Sequence, residues 1–267
     1  PTDLCNLYGK KKFNDKAFEI INKNNFDIAF FFLFQDEFSE EILKKIKDIK
    51  STKSIAWMSD DHWRFDNYSK FKANLFNWII TTDQNSIVKY KEVGMKNVFC
   101  SQWGFNQYDY IPKYQENFQK EVSFIGQPHS NRKKYINKLK KDKINVFCRG
   151  QGWDSGRVKF SEMVDIFFNS KINLNFTSSS STKSFKNFVK IFLKKKSNRY
   201  YINSFNEIFF NLKVFFQKKT NQIKGRVFEI TGSGGFLMTE NVEHLEKYLK
   251  DGEELVVFKD YKDLKDK

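Results

Sequence analysis

Short apolar runs of strand length alternate along the first part of the chain with segments whose apolar residues recur at helical spacing. The strand-like runs are 26–34, 54–59, 78–82 and 97–104. Between them, residues 39–49 and 85–94 are predicted to form helices, the first capped by Ser39 and the second closed by Gly94. Strands that alternate with helices in this way predict a parallel sheet covered by helices on both faces.

The same alternation restarts after a polar stretch at 106–121, which contains one of the three Pro residues. The predicted strands are 122–126, 144–150, 172–177, 235–239 and 255–258, and the predicted helices are 131–142, 161–170, 226–234 and 244–252. We therefore predict an α/β chain of two Rossmann-like domains, 1–108 and 121–267, joined by a linker at 109–120. Because ligands of such sheets bind beyond the carboxyl ends of the strands, we expect these loops to face one another across a cleft.

The chain ends add an expectation about its extent. The first residue is Pro, and the last segment stops within a repeating pattern. We therefore expect the N-terminal domain to be incomplete and both ends to be truncated.

The positive charge is concentrated in one part of the chain. The net charge is +15, and residues 183–226 hold twelve Lys and Arg residues against one acidic residue, Glu207. Within this segment we predict a basic insertion at about 183–220, in which Phe188 and Phe192 fall at helical spacing between Lys residues. Such a helix either packs its Phe stripe on the domain or lies on anionic lipid. Binding to nucleic acid is disfavoured, because no recognised nucleic-acid-binding module accompanies the charge.

Other features restrict the class of protein. The most apolar run, 28–34, is too short to cross a bilayer, and no basic-then-apolar leader opens the chain. Cys5, Cys100 and Cys148 are far apart and lack metal-ligand spacing. We predict reduced thiols and a cytoplasmic protein, at the inner membrane face if the basic insertion touches lipid. The three His residues are equally scattered, so no metal site is predicted.

One motif carries a family resemblance. The stretch GRVFEITGSGGFLMTE, residues 225–240, places Glu229 in an otherwise uncharged run before a Gly-rich turn and an apolar strand. With its continuation NVEHLEKYLKDGEELVVFKDYKDL, and with DDHWRF, TTDQNSIVKYKEVGMKNVFCSQWGFN and FIGQPHSNR, it resembles the CgeB-like (spore maturation protein CgeB) glycosyltransferases. The resemblance spans most of 55–264 except about 183–220. It implies the GT-B fold, with an acceptor-side N-terminal domain and a C-terminal domain that binds a nucleotide sugar.

The resemblance also implies chemistry. Such enzymes build polysaccharides and glycoconjugates as hexosyltransferases, moving a sugar from a nucleotide-diphosphate donor to a glycan, lipid-linked or protein acceptor without a metal or other cofactor. Glu229 is then expected to accept hydrogen bonds from the ribose hydroxyls, which suits a carboxylate with two acceptor oxygens. Lys224, Gly225 and Arg226 begin that helix, whose free N–H groups and positive dipole end suit a diphosphate. Asn221 stands where many GT-B relatives have a second Glu, so no sugar contact is assigned from that paired motif.

Further donor contacts are predicted at the strand ends of the second domain. Arg132 is expected to bind phosphate oxygens, since a planar guanidinium matches them; the alternative is a solvated helix residue. Gly126 is expected to permit close backbone approach, or else to form an ordinary turn. Gly150 and Trp153 are expected to contact the base of the nucleotide.

The catalytic base is predicted to be Asp60 or Asp61, in preference to His62. The alternative is a turn that caps the helix that follows, and no such base is needed if the enzyme retains the anomeric configuration. Two other functions stay open: a non-catalytic nucleotide-sugar or glycan-binding protein, and a nucleotide-sugar epimerase of the same fold.

Overall fold

The computed structural model describes residues 2–33, 36–112, 117–129, 131–178, 185–196, 199–217 and 221–267. The chain divides into two compact units, Pro1–Gln102 and Trp103–Lys267. This division falls earlier than the predicted end of the first domain at residue 108. Tyr110, from the predicted linker, is buried in a hydrophobic core of the second unit.

The first domain is built around one parallel sheet. Its strands are β1 (Ile28–Phe32), β2 (Lys53–Met58), β3 (Trp78–Thr81) and β4 (Val98–Cys100). Its α-helices are α1 (Thr2–Tyr8), α2 (Lys10–Lys23), α3 (Glu40–Lys47), α4 (Asp61–Arg64), α5 (Lys70–Lys72) and α6 (Ser86–Glu92). The predicted strands and the two predicted helices are confirmed, and the Ser39 hydroxyl accepts a hydrogen bond from the backbone N–H of Ile42, as expected of a cap.

The strand order of this sheet, β1-β2-β3-β4, follows the chain. Right-handed crossovers that all step in one direction put their helices on one face of the sheet. The apolar side chains on the opposite face are consequently open to solvent: Ile28 is 57% exposed, Phe30 55% and Phe32 49%. The prediction of helices on both faces is therefore wrong for the described part of this domain.

The second domain contains a larger parallel sheet and a separate hairpin. Its strands are β5 (Lys120–Ile125), β6 (Val146–Arg149), β7 (Ser170–Asn175), β8 (Leu193–Lys196), β9 (Arg199–Ile202), β10 (Leu237–Glu240) and β11 (Val256–Phe258). Its α-helices are α7 (Arg132–Lys141), α8 (Phe160–Phe168), α9 (Phe185–Phe192), α10 (Phe205–Gln217), α11 (Gly225–Gly232) and α12 (Tyr261–Asp266).

The strand order of the five-stranded sheet is β11-β10-β7-β5-β6. The chain steps from β5 to β6 in one direction and then from β7 onward in the other, so its crossovers cover both faces. Two hydrophobic cores reflect this arrangement. Ile136 of α7 lies in one core, and Val164 of α8 and Val227 of α11 lie in the other. The two-faced prediction is thus confirmed for the second domain.

Two predictions about local structure in the second domain need correction. The segment 244–252 forms only a short 3-10 turn, Leu245–Lys247, because His244 has a left-handed backbone with φ 66 and Gly252 has φ 82. The basic insertion contains the two predicted Phe-rich helices, α9 and α10, but the hairpin of β8 and β9 between them was not predicted. Residues 183, 184, 197, 198 and 218–220 of that insertion lie outside the described residues.

The segment that follows residue 102 lies along α11. A Cβ atom at Gly232 would come 2.5 Å from the ring of Phe105, whereas one at Gly225 would stay 3.6 Å from the ring of Trp103. The two glycines are seven residues apart, about two helical turns, and so share one face of the helix. Gly232 therefore permits a close approach that a larger residue would prevent.

Among the described residues, no helix combines the length and apolar content that crossing a bilayer requires.

We predict different costs for two alanine substitutions on this face. Gly232→Ala should lower the free energy of unfolding by about 1–3 kcal/mol, because the near end of the Phe105 side chain must move. Gly225→Ala, the matched control, should leave that free energy unchanged or raise it by up to about 1 kcal/mol. Urea denaturation followed by circular dichroism measures both, and equal effects would contradict the close approach at Gly232.

Candidate anion-binding site

The reversal of strand order in the second domain creates a crevice between the carboxyl ends of β5 and β7. This is the position where open α/β sheets hold their ligands. Arg132, the first residue of α7, extends its guanidinium into it. Nη1 donates to the carbonyl oxygen of Gln127 at 3.3 Å, and Nη2 donates to the carbonyl oxygens of Phe176 at 3.2 Å and Ser178 at 3.4 Å.

Arg132 is a buried cation, with 8% of its surface exposed. Its guanidinium rests 5.9 Å from the centroid of the Phe124 ring, and its Nε atom, also buried, has no hydrogen-bond partner among the described residues. Burial lowers the pKa of Arg132 to about 10, although the negative charge of Glu240 acts in the opposite direction. No carboxylate of the described residues forms an ion pair with it. A buried cation in this state would be stabilised by an anion in the crevice.

The positive charges of Lys224 and Arg226 also act on the crevice. His129 lies in the loop after β5, with Nε2 3.2 Å from Nη1 of Arg132. Burial, together with the charges of Arg132 and Lys224, lowers the pKa of His129 to about 4. The charge of Arg226 likewise lowers the pKa of Arg132. The start of α7 and the start of α11 therefore form one electropositive region around a neutral imidazole.

Glu240 ties the loops of this region together, a role that the sequence analysis missed. This buried carboxylate ends β10. Its Oε1 accepts a hydrogen bond from the side-chain amide of Asn131 at 2.7 Å. Its Oε2 accepts from the backbone N–H groups of Thr177 at 3.1 Å and Ser178 at 3.2 Å. Glu240 thus fixes the residues on either side of Arg132. An acidic residue at the end of an apolar strand was the available signal.

Glu229 lies on α11, and two residues hold its carboxylate. Arg226, one turn earlier, forms an ion pair with Oε2 at 2.6 Å, and its guanidinium stacks over Phe167 at 5.2 Å. Burial, together with the charge and hydrogen bond of Glu229, raises the pKa of Tyr110 to about 12. Arg226 was predicted to bind diphosphate, but its charge is already balanced by Glu229, so the structure makes it a positioning residue for that carboxylate. The side chain of Glu229 is 26% exposed and can still receive a ligand.

The helix start that was predicted to hold phosphate has the required backbone. Lys224 precedes α11 in an extended conformation, and no side chain caps the helix. The first N–H groups of a helix have no partner within the helix, so those of Gly225 and Arg226 point out of its N-terminus. Lys224 therefore stands where a bound anion would meet both its own charge and the backbone donors.

The glycine and tryptophan predictions turn out differently. Gly150 has φ +139, and a Cβ atom there would overlap the carbonyl group of Gly126. The two glycines thus let two protein loops approach each other closely. The indole N–H of Trp153 donates to the carbonyl oxygen of Gly126 at 2.8 Å, and its ring packs against Phe124 at 6.3 Å. Gly126, Gly150 and Trp153 therefore contact one another, and their predicted donor contacts stay predictions.

The two predicted catalytic acids belong to the first domain, where they differ in accessibility. Asp61 is 1% exposed, and its Oδ2 accepts a hydrogen bond from the Tyr90 hydroxyl at 2.8 Å. Burial raises the pKa of Asp61 to about 6. Asp60 is partly exposed, and its side chain does not cap α4. Asp61 is therefore an interior residue, and Asp60 alone is kept as the candidate base.

No group of three or more His, Cys, Asp or Glu residues in the described ranges is arranged to hold a metal ion. Metal independence remains a prediction.

Comparisons with known proteins concern the family and the fold. A family model described as glycosyl transferase-like matches residues 132–267, half of the chain. No curated protein matches the chain. The chain is similar in structure to TarM, at 9% identity and TM-score 0.56, over 94% of this chain and 49% of TarM.

Two other solved structures are similar. Anabaena Alr3699/HepE, determined in complex with UDP, has 8% identity and TM-score 0.56 over 95% of this chain and 70% of its own. The sucrose-phosphate synthase from Thermosynechococcus elongatus has 8% identity and TM-score 0.53 over 96% and 67%. The chain thus spans about half the length of TarM and about two thirds of these two. At such identities the likeness concerns the fold, and it confirms the predicted GT-B fold of two Rossmann-like domains.

We predict that His129 reports on anions in the crevice. The chain has three His residues, so His129→Asn assigns its imidazole signals in an NMR titration. In the free protein the imidazole should stay neutral until the pH approaches 4. Pyrophosphate should raise this pKa, because its charge offsets those of Arg132 and Lys224, and Lys224→Gln should reduce the rise. A pKa near 6.5 in the free protein, or one that pyrophosphate leaves unchanged, would contradict the site.

Proposed function

Because the chain belongs to the glycosyl transferase-like family, we propose that it transfers a sugar from a nucleoside-diphosphate donor to an acceptor and that its second domain holds the donor. The observation that carries this proposal is the buried, carboxylate-free guanidinium of Arg132 in the crevice between β5 and β7. We assign the diphosphate to Arg132, Lys224 and the first N–H groups of α11. We assign the ribose hydroxyls to Glu229.

These assignments fit the chemistry of sugar transfer. The acceptor oxygen forms a bond to the anomeric carbon while the bond from that carbon to the diphosphate oxygen breaks. The leaving diphosphate gains negative charge, and preorganised cations and backbone N–H groups stabilise it in the transition state. A base takes the acceptor proton in an inverting reaction, and we assign that role to Asp60.

We also propose a donor sugar, a class of acceptor and metal independence. The donor is a hexosyl nucleotide, and the acceptor is a glycan, a lipid-linked saccharide or a protein of a polysaccharide or glycoconjugate pathway in the cytoplasm. The resemblance of the motif around Glu229 to the CgeB-like group supports this donor and these acceptors. Arg132 and Lys224 supply the positive charge that a metal ion provides in other transferases, so we propose that no metal is required.

The ribose assignment predicts a selective loss of affinity. Glu229→Ala should weaken binding of the preferred nucleoside diphosphate by about 1–3 kcal/mol, because hydrogen bonds to a charged acceptor are lost. The same substitution should cost much less with the 2′,3′-dideoxy nucleotide, which lacks the hydroxyls. Calorimetry with UDP, GDP, ADP and CDP identifies the nucleotide and measures both losses.

A matched control exists in the first domain. Glu41→Ala also removes a helical ion pair, the one to Lys45 at 2.7 Å, and should leave both affinities unchanged. An equal loss with the ribonucleotide and its dideoxy analogue would remove Glu229 from the ribose site.

The metal-free proposal predicts that turnover survives chelation. Donor hydrolysis or transfer should continue unchanged in EDTA, since the diphosphate charge is balanced by side chains and backbone N–H groups. Loss of turnover in EDTA, restored by Mg²⁺ or Mn²⁺, would contradict it.

A further inference from the structure

The basic insertion of the second domain forms a small unit with its own connections. It joins the end of β7 to the start of α11, and a bridge between Ser178 and Asn221 brings its two ends together. Inside it, the side-chain amide of Asn203 donates to the carbonyl oxygen of Ile191 at 2.8 Å. Both residues are buried, at 6% and 2% exposure. The insertion therefore has an internal anchor between α9 and the chain that follows β9.

Most of the aromatic and aliphatic side chains described in this unit face solvent. Phe205 is 83% exposed, Ile202 78%, Phe209 69% and Tyr200 69%. Phe188 of the predicted Phe stripe is 50% exposed. These side chains are therefore not packed onto the domain, as one of the two interpretations of the Phe stripe required. A group of apolar residues so close in sequence and so exposed is typical of an interaction surface.

The charge of the same unit selects the kind of partner. Residues 183–220 contain ten Lys and Arg residues and one acidic residue, Glu207. In the hairpin, Lys194 stands opposite Tyr201 in register and Lys195 stands opposite Tyr200. Lys and Tyr are the residue types that proteins favour at the boundary of a bilayer, and the register pairs them across the hairpin.

We propose that the described part of the insertion, residues 185–196 and 199–217, docks the protein on the surface of an anionic lipid bilayer. Its Lys and Arg residues attract the charged headgroups, and Ile202, Phe205 and Phe209 bury their side chains in the interface. Exposed Ile and Phe side chains gain from contact with hydrocarbon, which the backbone of a nucleic acid does not offer. Docking of this surface does not depend on sugar transfer.

Sedimentation of the full chain with vesicles tests the proposal. We expect binding to vesicles that contain phosphatidylglycerol, no binding to pure phosphatidylcholine vesicles, and weakening by salt. Replacing Lys194, Lys195 and Lys196 by Gln should reduce binding on the order of 100-fold, given the contribution of each Lys near a charged surface. The run Lys10–Lys12 provides a control with the same change in charge, and its replacement by Gln should change binding by less than about threefold.

The apolar side of the proposal has its own variants. Phe205→Ser with Phe209→Ser should reduce binding by about tenfold or more and leave the melting temperature unchanged, because both rings are exposed. The exposed ring of Tyr108, replaced by Ser, is the control and should change neither quantity.

Three results would overturn the proposal. These are equal or absent binding to both kinds of vesicle, an equal loss from the two Lys replacements, and a lowered melting temperature of the Phe variant with vesicle binding retained. Binding of a single-stranded RNA that depends on Lys194–Lys196, without vesicle binding, would assign the surface to nucleic acid instead. Nucleotide affinity, measured on the same variants, should stay unchanged, which separates this test from that of the sugar-transfer proposal.

Discussion

The second domain depends on a charge that lies inside it. The guanidinium of Arg132 lies in the crevice where the strand order reverses, and it donates to main-chain carbonyl groups there. Glu240, at the end of β10, positions the loops around this guanidinium. Its carboxylate accepts hydrogen bonds from Asn131 on one side and from Thr177 on the other. Burying a cation without an ion-pair partner is costly, and an anionic ligand would offset part of that cost. The same reversal that divides the helices between two faces thus also creates the binding position.

The sequence predicted the order of strands and helices well, because apolar periodicity is a local signal. It did not predict the order of strands within each sheet, which decides whether helices cover one face or two. The exposed residues Ile28 and Phe30 show the consequence in the first domain. The prediction of a helix at 244–252 was wrong because its apolar spacing suits a 3-10 turn as well as an α-helix. The left-handed backbone of His244, which the spacing does not reveal, precedes the 3-10 turn in the structure.

The site residues divide along the same line. Arg132 and Lys224 could be named from chemistry at loop-to-helix junctions, and the structure brings their charges together around His129. Tyr110 could not, because a residue in a polar stretch gives no sign that it packs beneath a distant helix. Arg226 was predicted to bind phosphate, yet it forms an ion pair with Glu229, one turn further along α11. Residue type and position suggest a function, whereas the partners within the fold decide which residues remain open to a ligand.

A crystal structure of the chain with its preferred nucleoside diphosphate tests the central claim most directly. The account predicts phosphate oxygens within hydrogen-bond distance of Arg132 and Lys224, beyond the carboxyl ends of β5 and β7. It also predicts the two ribose hydroxyls within hydrogen-bond distance of the Glu229 carboxylate. A nucleotide bound elsewhere in the second domain, with the crevice at Arg132 empty of phosphate, would contradict the account.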